Sequence, residues 1–244
     1  EAYIEDMKSS ATLFFHGYGV RGRIWDTVRA ALGTATGPTH APDLEAANVD
    51  ELIVRARGRA RRFALEQDGP VLVAGHSLGA VLAALSALEP GPPQVAAAFL
   101  IAPPYGEREE VPGPLLRFLL RHRLLPPALV RPRFFSEHTP VEIQKEVFAN
   151  AVPEAPELQQ ITFEREFFHT HLFSGPLPVP SLVLASEADR IVPASQSERF
   201  AQLLGSELVV LPERDRIGHD DFFASPGVAR RTAEIIADFA RRIV

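Results

Sequence analysis

The chain has 244 residues, a net charge of −6 and a hydrophobic share of 46 %, which suits one globular α/β-sized domain. Its acidic balance argues against nucleic acid as a partner, and no apolar run reaches the about 18 residues of a membrane span. The absence of cysteine excludes disulfides, thiol catalysis and cysteine-held metals.

Residues 1–10 carry neither the basic nor the apolar region of a signal peptide, so a cytoplasmic location is expected, although the chain starts at Glu1 without a methionine. There is room for one short strand around Tyr3, Ile4 and Glu5. The first clear strand signal is Ala11-Thr12-Leu13-Phe14-Phe15, followed at once by His16-Gly17-Tyr18-Gly19. A helix is predicted over 23–32, closed by Gly33, and Ala41-Pro42-Asp43-Leu44 is expected to end the next strand. Over 49–66, Leu52, Ala56, Ala60 and Phe63 recur at helical spacing, with Arg55, Arg57, Arg59, Arg61 and Arg62 on a solvated face.

The apolar run 70–74 leads into Gly75-His76-Ser77-Leu78-Gly79, and 80–88 is rich in helix formers before Pro90-Gly91. A serine between two glycines at a strand-to-helix junction marks a nucleophile elbow. The turn strains the serine backbone and is tolerable only if the residues two away carry no side chain. It lifts the hydroxyl clear of the sheet, over a helix N-terminus that favours developing negative charge.

A buried strand is predicted over 95–102, after which the organisation changes. Residues 103–180 hold 13 of the 22 prolines and three helix-like pieces, at 115–125, 140–151 and 158–173. Eight of the 16 phenylalanines fall there, too many for a polar excursion. Most are expected to glue this segment to the core, with Phe134, Phe135, Phe167 and Phe168 as candidates for an apolar pocket. Arg117, Arg121, His122 and Arg123 alternate with leucines and read as a solvated basic face. The alternative is attraction of an anionic substrate group or a lipid surface. His169 and His171 sit two apart without a carboxylate cage, so no metal site is expected.

A strand over 181–185 runs into Ser186-Glu187-Ala188-Asp189-Arg190-Ile191-Val192-Pro193, and a strand over 207–211 precedes Gly218-His219-Asp220. A last amphipathic helix is predicted over 227–243. Alternating strands and helices imply an α/β fold, a mostly parallel central sheet with helices on both faces.

In this order the four segments resemble the α/β-hydrolase family, over almost the whole chain from residue 11 to 244. The resemblance implies a core of residues 1–103 and 177–244 with a helical cap, 104–176. It implies Ser77 as nucleophile, Asp189 as acid and His219 as base, with the backbone N–H groups of Tyr18 and Leu78 as oxyanion hole. Glu187, Asp215, Asp220 and Asp221 compete for the acid role. Asp189 is preferred because it lies just past a strand and before Val192-Pro193. His16 and His76 fall in motifs where the family uses them for loop packing. Larger members carry two more strands before the first, which leaves the sheet size of this chain open.

The implied reaction is hydrolysis of a small-molecule carboxylic ester or thioester with a hydrophobic group, through an acyl-enzyme on Ser77, without metal or cofactor. A C–C bond hydrolase or a perhydrolase would use the same triad, and a ligand-binding receptor would keep it under a closing cap. Serine at the elbow, rather than aspartate, separates the chain from relatives that dehalogenate or open epoxides.

Overall fold

The computed structural model describes residues 10–88, 95–107, 113–122, 124–161, 164 and 172–243. Six strands form one all-parallel sheet: β1 (Ala11–Phe15), β2 (Thr39–His40), β3 (Val71–His76), β4 (Val95–Ile101), β5 (Ser181–Ser186) and β6 (Glu207–Leu211). Their spatial order is β2-β1-β3-β4-β5-β6. The chain steps from β1 outward to β2, then returns across β1 to β3 and continues the other way. That reversal puts a crevice beyond the C-terminal ends of β1 and β3, where open α/β sheets bind ligands.

Successive side chains of a strand point to opposite faces, and here both faces are apolar. Leu13, Phe15, Val71, Val73, Ala98, Leu100 and Val183 pack on one side, under α2 (Val49–Leu65), α3 (Leu78–Ala87) and α8 (Ala194–Leu204). Phe14, Leu72, Ala74, Phe99, Ile101, Leu182 and Leu184 pack on the other, under α1 (Asp26–Leu32), α9 (Asp221–Ala224) and α10 (Pro226–Arg242). The central strands are therefore near-continuous apolar runs, as parallel sheets require.

Between β4 and β5 lies an inserted helical segment: α4 (Pro114–Arg121), α5 (Pro127–Phe134), α6 (Val141–Ala149) and α7 (Pro156–Ile161). Each has a proline at its start, where the missing N–H is no loss. The α5 helix forms where the proline density reads as a break, because Pro127 opens it and Pro132 deprives it of only one hydrogen bond. The helix expected over 158–173 begins two residues early and α7 ends at Ile161; residues 162–163 and 165–171 lie outside the described residues. The strand expected to end at Leu44 stops at His40. Pro42 cannot donate to a ladder, and the Leu44 N–H bonds His16 Nε2 instead, at 2.9 Å. Tyr3, Ile4 and Glu5 also lie outside the described residues. No described helix is long and apolar enough to cross a membrane.

Candidate active site

Ser77 links β3 to α3 with φ 55° and ψ −124°, one of three described non-glycine residues at positive φ. Both glycines are obligatory. A Cβ on Gly75 would lie 2.1 Å from the Gly79 carbonyl oxygen, and one on Gly79 would lie 2.3 Å from that of Phe15. The elbow is thus pressed against the end of β1, and its tightness follows from backbone meeting backbone. The Ser77 N–H donates to the Ile101 carbonyl at 2.8 Å, and the residue is half-buried.

Asp189 follows β5 and is almost wholly buried. Its Oδ1 accepts the N–H groups of Ile191 and Val192 at 2.8 and 2.9 Å, which fixes the carboxylate. Its Oδ2 accepts from His219 Nδ1 at 2.7 Å. That bond commits Nδ1 as donor and leaves Nε2 as the acceptor nitrogen of the ring. Burial alone would pull the His219 imidazole below its usual range, but the charge and hydrogen bond of Asp189, helped by Asp220, carry it above.

His76, between Gly75 and Ser77, connects the elbow to this pair. Its ring lies 4.4 Å from that of His219, centre to centre, and its Nε2–H donates to the His219 carbonyl at 2.8 Å. Burial, then the neighbouring His219, hold His76 well below its ordinary range, so it stays neutral with Nδ1 buried and unpartnered. Asp220 is pushed up to about 7 by burial and by the charges of Asp189 and Asp221, against the pull of His219. His76, His219 and Asp220 offer possible metal-ligand atoms within 4.8 Å of one another. His219 Nδ1 and His76 Nε2 are spent on Asp189 and on a carbonyl, which leaves His219 Nε2 and His76 Nδ1 as the ring nitrogens of that group. His169 and His171 lie outside the described residues.

The loop after β1 approaches from the other side. A Cβ on Gly17 would come within 3.3 Å of Ser77 Cβ. His16 holds this loop, accepting the Leu44 N–H at Nε2 and donating from Nδ1 to the Gly17 carbonyl at 2.9 Å. Tyr18 follows, and Leu78 is the first residue of α3, where helix N–H groups lack intrahelical partners. Gly17, Tyr18, Leu78, Leu82, Glu154 and Leu158 line a cavity of about 10 Å³, room for about one water. Glu154 accepts the Gly19 N–H at 2.9 Å, and burial raises its carboxyl above the usual range.

The inserted segment grips the His219 loop. Asp221 is fully buried and accepts from Ser136 N (3.1 Å), Thr139 Oγ1 (2.6 Å) and Gly218 N (2.7 Å). The Asp220 N–H donates to the Phe134 carbonyl at 2.8 Å. Phe134 is half-buried with its ring 6.3 Å from His219 and 5.7 Å from Phe148. Its neighbour Phe135 instead packs into the core with Phe14 and Trp25. Phe167 and Phe168 lie outside the described residues.

Sequence reasoning gave His76 to loop packing, weighed Asp221 only as a rival acid, and did not single out Glu154. Asp221 left one signal, a carboxylate fused to the apolar pair Phe222-Phe223. The other two left none, because their partners are distant in the chain.

A family model described as "Alpha/beta hydrolase family" matches residues 12–231. The search of curated proteins gives no match. Among solved structures, an esterase from Exiguobacterium antarcticum is similar at TM-score 0.74 and 15 % identity, over 96 % of this chain and 92 % of its own. An esterase from a Rhodococcus species gives 0.72 at 18 %, over 97 % and 92 %. A thermophilic esterase from Thermogutta terrifontis gives 0.67 at 20 %, over 97 % and 91 %.

Proposed function

We propose, from the premise that this chain belongs to the alpha/beta hydrolase family, that it hydrolyses carboxylic esters or thioesters through a Ser77–His219–Asp189 triad. The observation that carries this reading is a strained serine, one residue from a histidine whose ring lies 4.4 Å from the imidazole that Asp189 holds at 2.7 Å. The three similar structures are esterases, which agrees with the reading.

In this mechanism Ser77 Oγ attacks the ester carbonyl as His219 Nε2 takes its proton. Asp189 stabilises the resulting imidazolium. The N–H groups of Tyr18 and Leu78 bind the oxyanion, an effect of about 3–4 kcal/mol per donor. His219 then protonates the departing alcohol, leaving an acyl-enzyme. Water, deprotonated by His219, attacks it and releases the acid and free Ser77. The chain supplies every role. Residues 104–176 act as a cap over the serine, with Phe134 presenting an apolar wall to a hydrophobic part of the substrate.

A fluorophosphonate probe should label Ser77 in the wild type and nothing in Ser77→Ala, which should also lose about 10⁶ in ester turnover. Asp189→Asn should slow turnover by roughly 10⁴ by favouring the wrong tautomer. Persistent labelling of the alanine variant, or a mild Asp189→Asn beside a severe Asp220→Asn, would refute the assignment.

A further inference from the structure

Two segments far apart in the chain meet at Gly19. Its N–H donates to Glu154 Oε1 at 2.9 Å, and its carbonyl accepts the Val152 N–H at 2.8 Å. The inserted segment therefore holds this residue from both sides. Gly19 has φ 74°, in the left-handed region that favours glycine. Pro153 and Pro156 stiffen the chain on either side of Glu154, and Gln159 Nε2 of α7 donates to the Glu154 carbonyl at 2.9 Å. The arm that grips Gly19 is thus itself fixed.

A carboxylate is a costly choice for this place. The Glu154 side chain is 9 % exposed, and burial raises its carboxyl against the opposing pull of the Gly19 N–H and of Arg21. Arg21 offsets little of that, since it stands 3.7 Å from Glu154 and 3.1 Å from Glu45. Fastening the insert to the core needs no charge: Leu158, four residues on, does so as a buried apolar side chain lining the same cavity. A carboxylate suits a place where one backbone N–H must be held in one direction, because charged acceptors bind N–H groups more strongly than neutral ones.

The neighbours show what that direction serves. Glu154 lines one cavity with Gly17, Tyr18 and Leu78, and a Cβ on Gly17 would come within 3.3 Å of Ser77 Cβ. Tyr18 and Leu78 carry the N–H groups that the proposed mechanism gives to the oxyanion. The Gly19 N–H belongs to the planar peptide that begins at the Tyr18 Cα, so its bond to Glu154 sets the Tyr18 ψ and limits how the Tyr18 N–H can turn.

We propose that Glu154 is a positioning residue for the oxyanion site, acting through Gly19 on the Tyr18 N–H. In this role it touches neither the substrate nor the reacting atoms. The proposal rests on the ester-hydrolase reading above and adds to it a residue from the inserted segment.

The test uses p-nitrophenyl acetate, whose small acyl group depends little on apolar contacts with the insert. Glu154→Ala should lower kcat by about tenfold to a hundredfold, the scale of a displaced oxyanion donor, with KM within about twofold of the wild type. Glu154→Gln keeps an acceptor oxygen at the same reach and should lose about threefold or less. Affinity for trifluoroacetone, which forms a tetrahedral adduct on the serine, should fall in each variant by the same factor as kcat/KM. A staple without a positioning role would lower the thermal midpoint and leave both readouts unmoved below it. An unchanged kcat in Glu154→Ala, an equal loss in Glu154→Gln, or a ketone affinity that does not follow kcat/KM overturns the proposal. Should Glu154→Ala not fold, Glu154→Asp, one methylene short of Gly19, takes its place with the same expectations. Hydrolysis by the wild type with Glu154→Ala unimpaired sinks only this inference. No ester hydrolysis and no fluorophosphonate labelling in the wild type sinks the esterase reading, and this inference with it.

Discussion

At the scale of single residues, the buried carboxylates around His219 set both its protonation and its position. The proposed reaction needs the imidazole neutral, so under that proposal kcat/KM for an uncharged ester should rise with pH as His219 deprotonates. Asp220 helps hold that imidazole above its ordinary range. Asp220→Asn should therefore move the acid limb of the profile to lower pH, and an unmoved limb would show that the two do not interact. Asp221 acts differently, as the acceptor for three donors, of which the Thr139 and Gly218 bonds are buried and the Ser136 bond part-buried. Asp221→Ala strands them, at about 1–3 kcal/mol each before relaxation. Urea unfolding should find it several kcal/mol less stable than wild type, and a loss under 1 kcal/mol would mean that the loop reorganises freely.

Among the elements, the elbow and helix α2 make opposite demands on glycine. Gly75 and Gly79 face backbone atoms at 2.1 and 2.3 Å, which no rotamer change can move. Gly58 lies exposed within α2 with nothing inside 4 Å of an added Cβ. Gly58→Ala should stabilise the protein by about 0.5–1 kcal/mol through helix propensity. Gly75→Ala and Gly79→Ala should lower the thermal midpoint and abolish probe labelling at Ser77. Full labelling in either would show that the turn has slack. The α5 helix joins its neighbours through the same kind of close approach, since a Cβ on Gly218 would lie 2.8 Å from the Phe134 carbonyl. The segment bearing Phe134 and the loop bearing His219 thus fit each other only without a side chain between them.

For the molecule as a whole, placing ionisable groups in the crevice costs stability. The Asp220 carboxyl, ordinarily near 3.8, is pushed up to about 7 in the fold. Between those values the folded protein binds a proton that the unfolded chain releases, so stability falls as pH rises through this window. Asp220→Asn should flatten that fall, gaining on the wild type at pH 8 but not at pH 4. Equal gains at both would assign the effect to packing. Because the chain fills every role in the proposed mechanism, dialysis against EDTA should leave ester turnover intact. Loss of activity restored by zinc would instead implicate the His76, His219 and Asp220 group.

The sequence alone determined what depends on neighbours along the chain. Apolar β-rich runs ending in glycine, serine or aspartate announce strands with turns at their C-terminal ends, and their order already implied a parallel sheet with helices on both faces. The positive-φ turn at Ser77 was legible because two glycines two residues away have little other reason to coincide. Only the tertiary structure decided between neighbours that look alike in sequence. Phe134 meets His219 while Phe135 enters the core, because the chain leaves α5 between them. His76 became the tie to the His219 carbonyl, and Asp221 the clasp on Thr139, through contacts that span 143 and 82 residues. A hydrogen bond between residues so far apart depends on how strands and helices pack, and no local pattern encodes it.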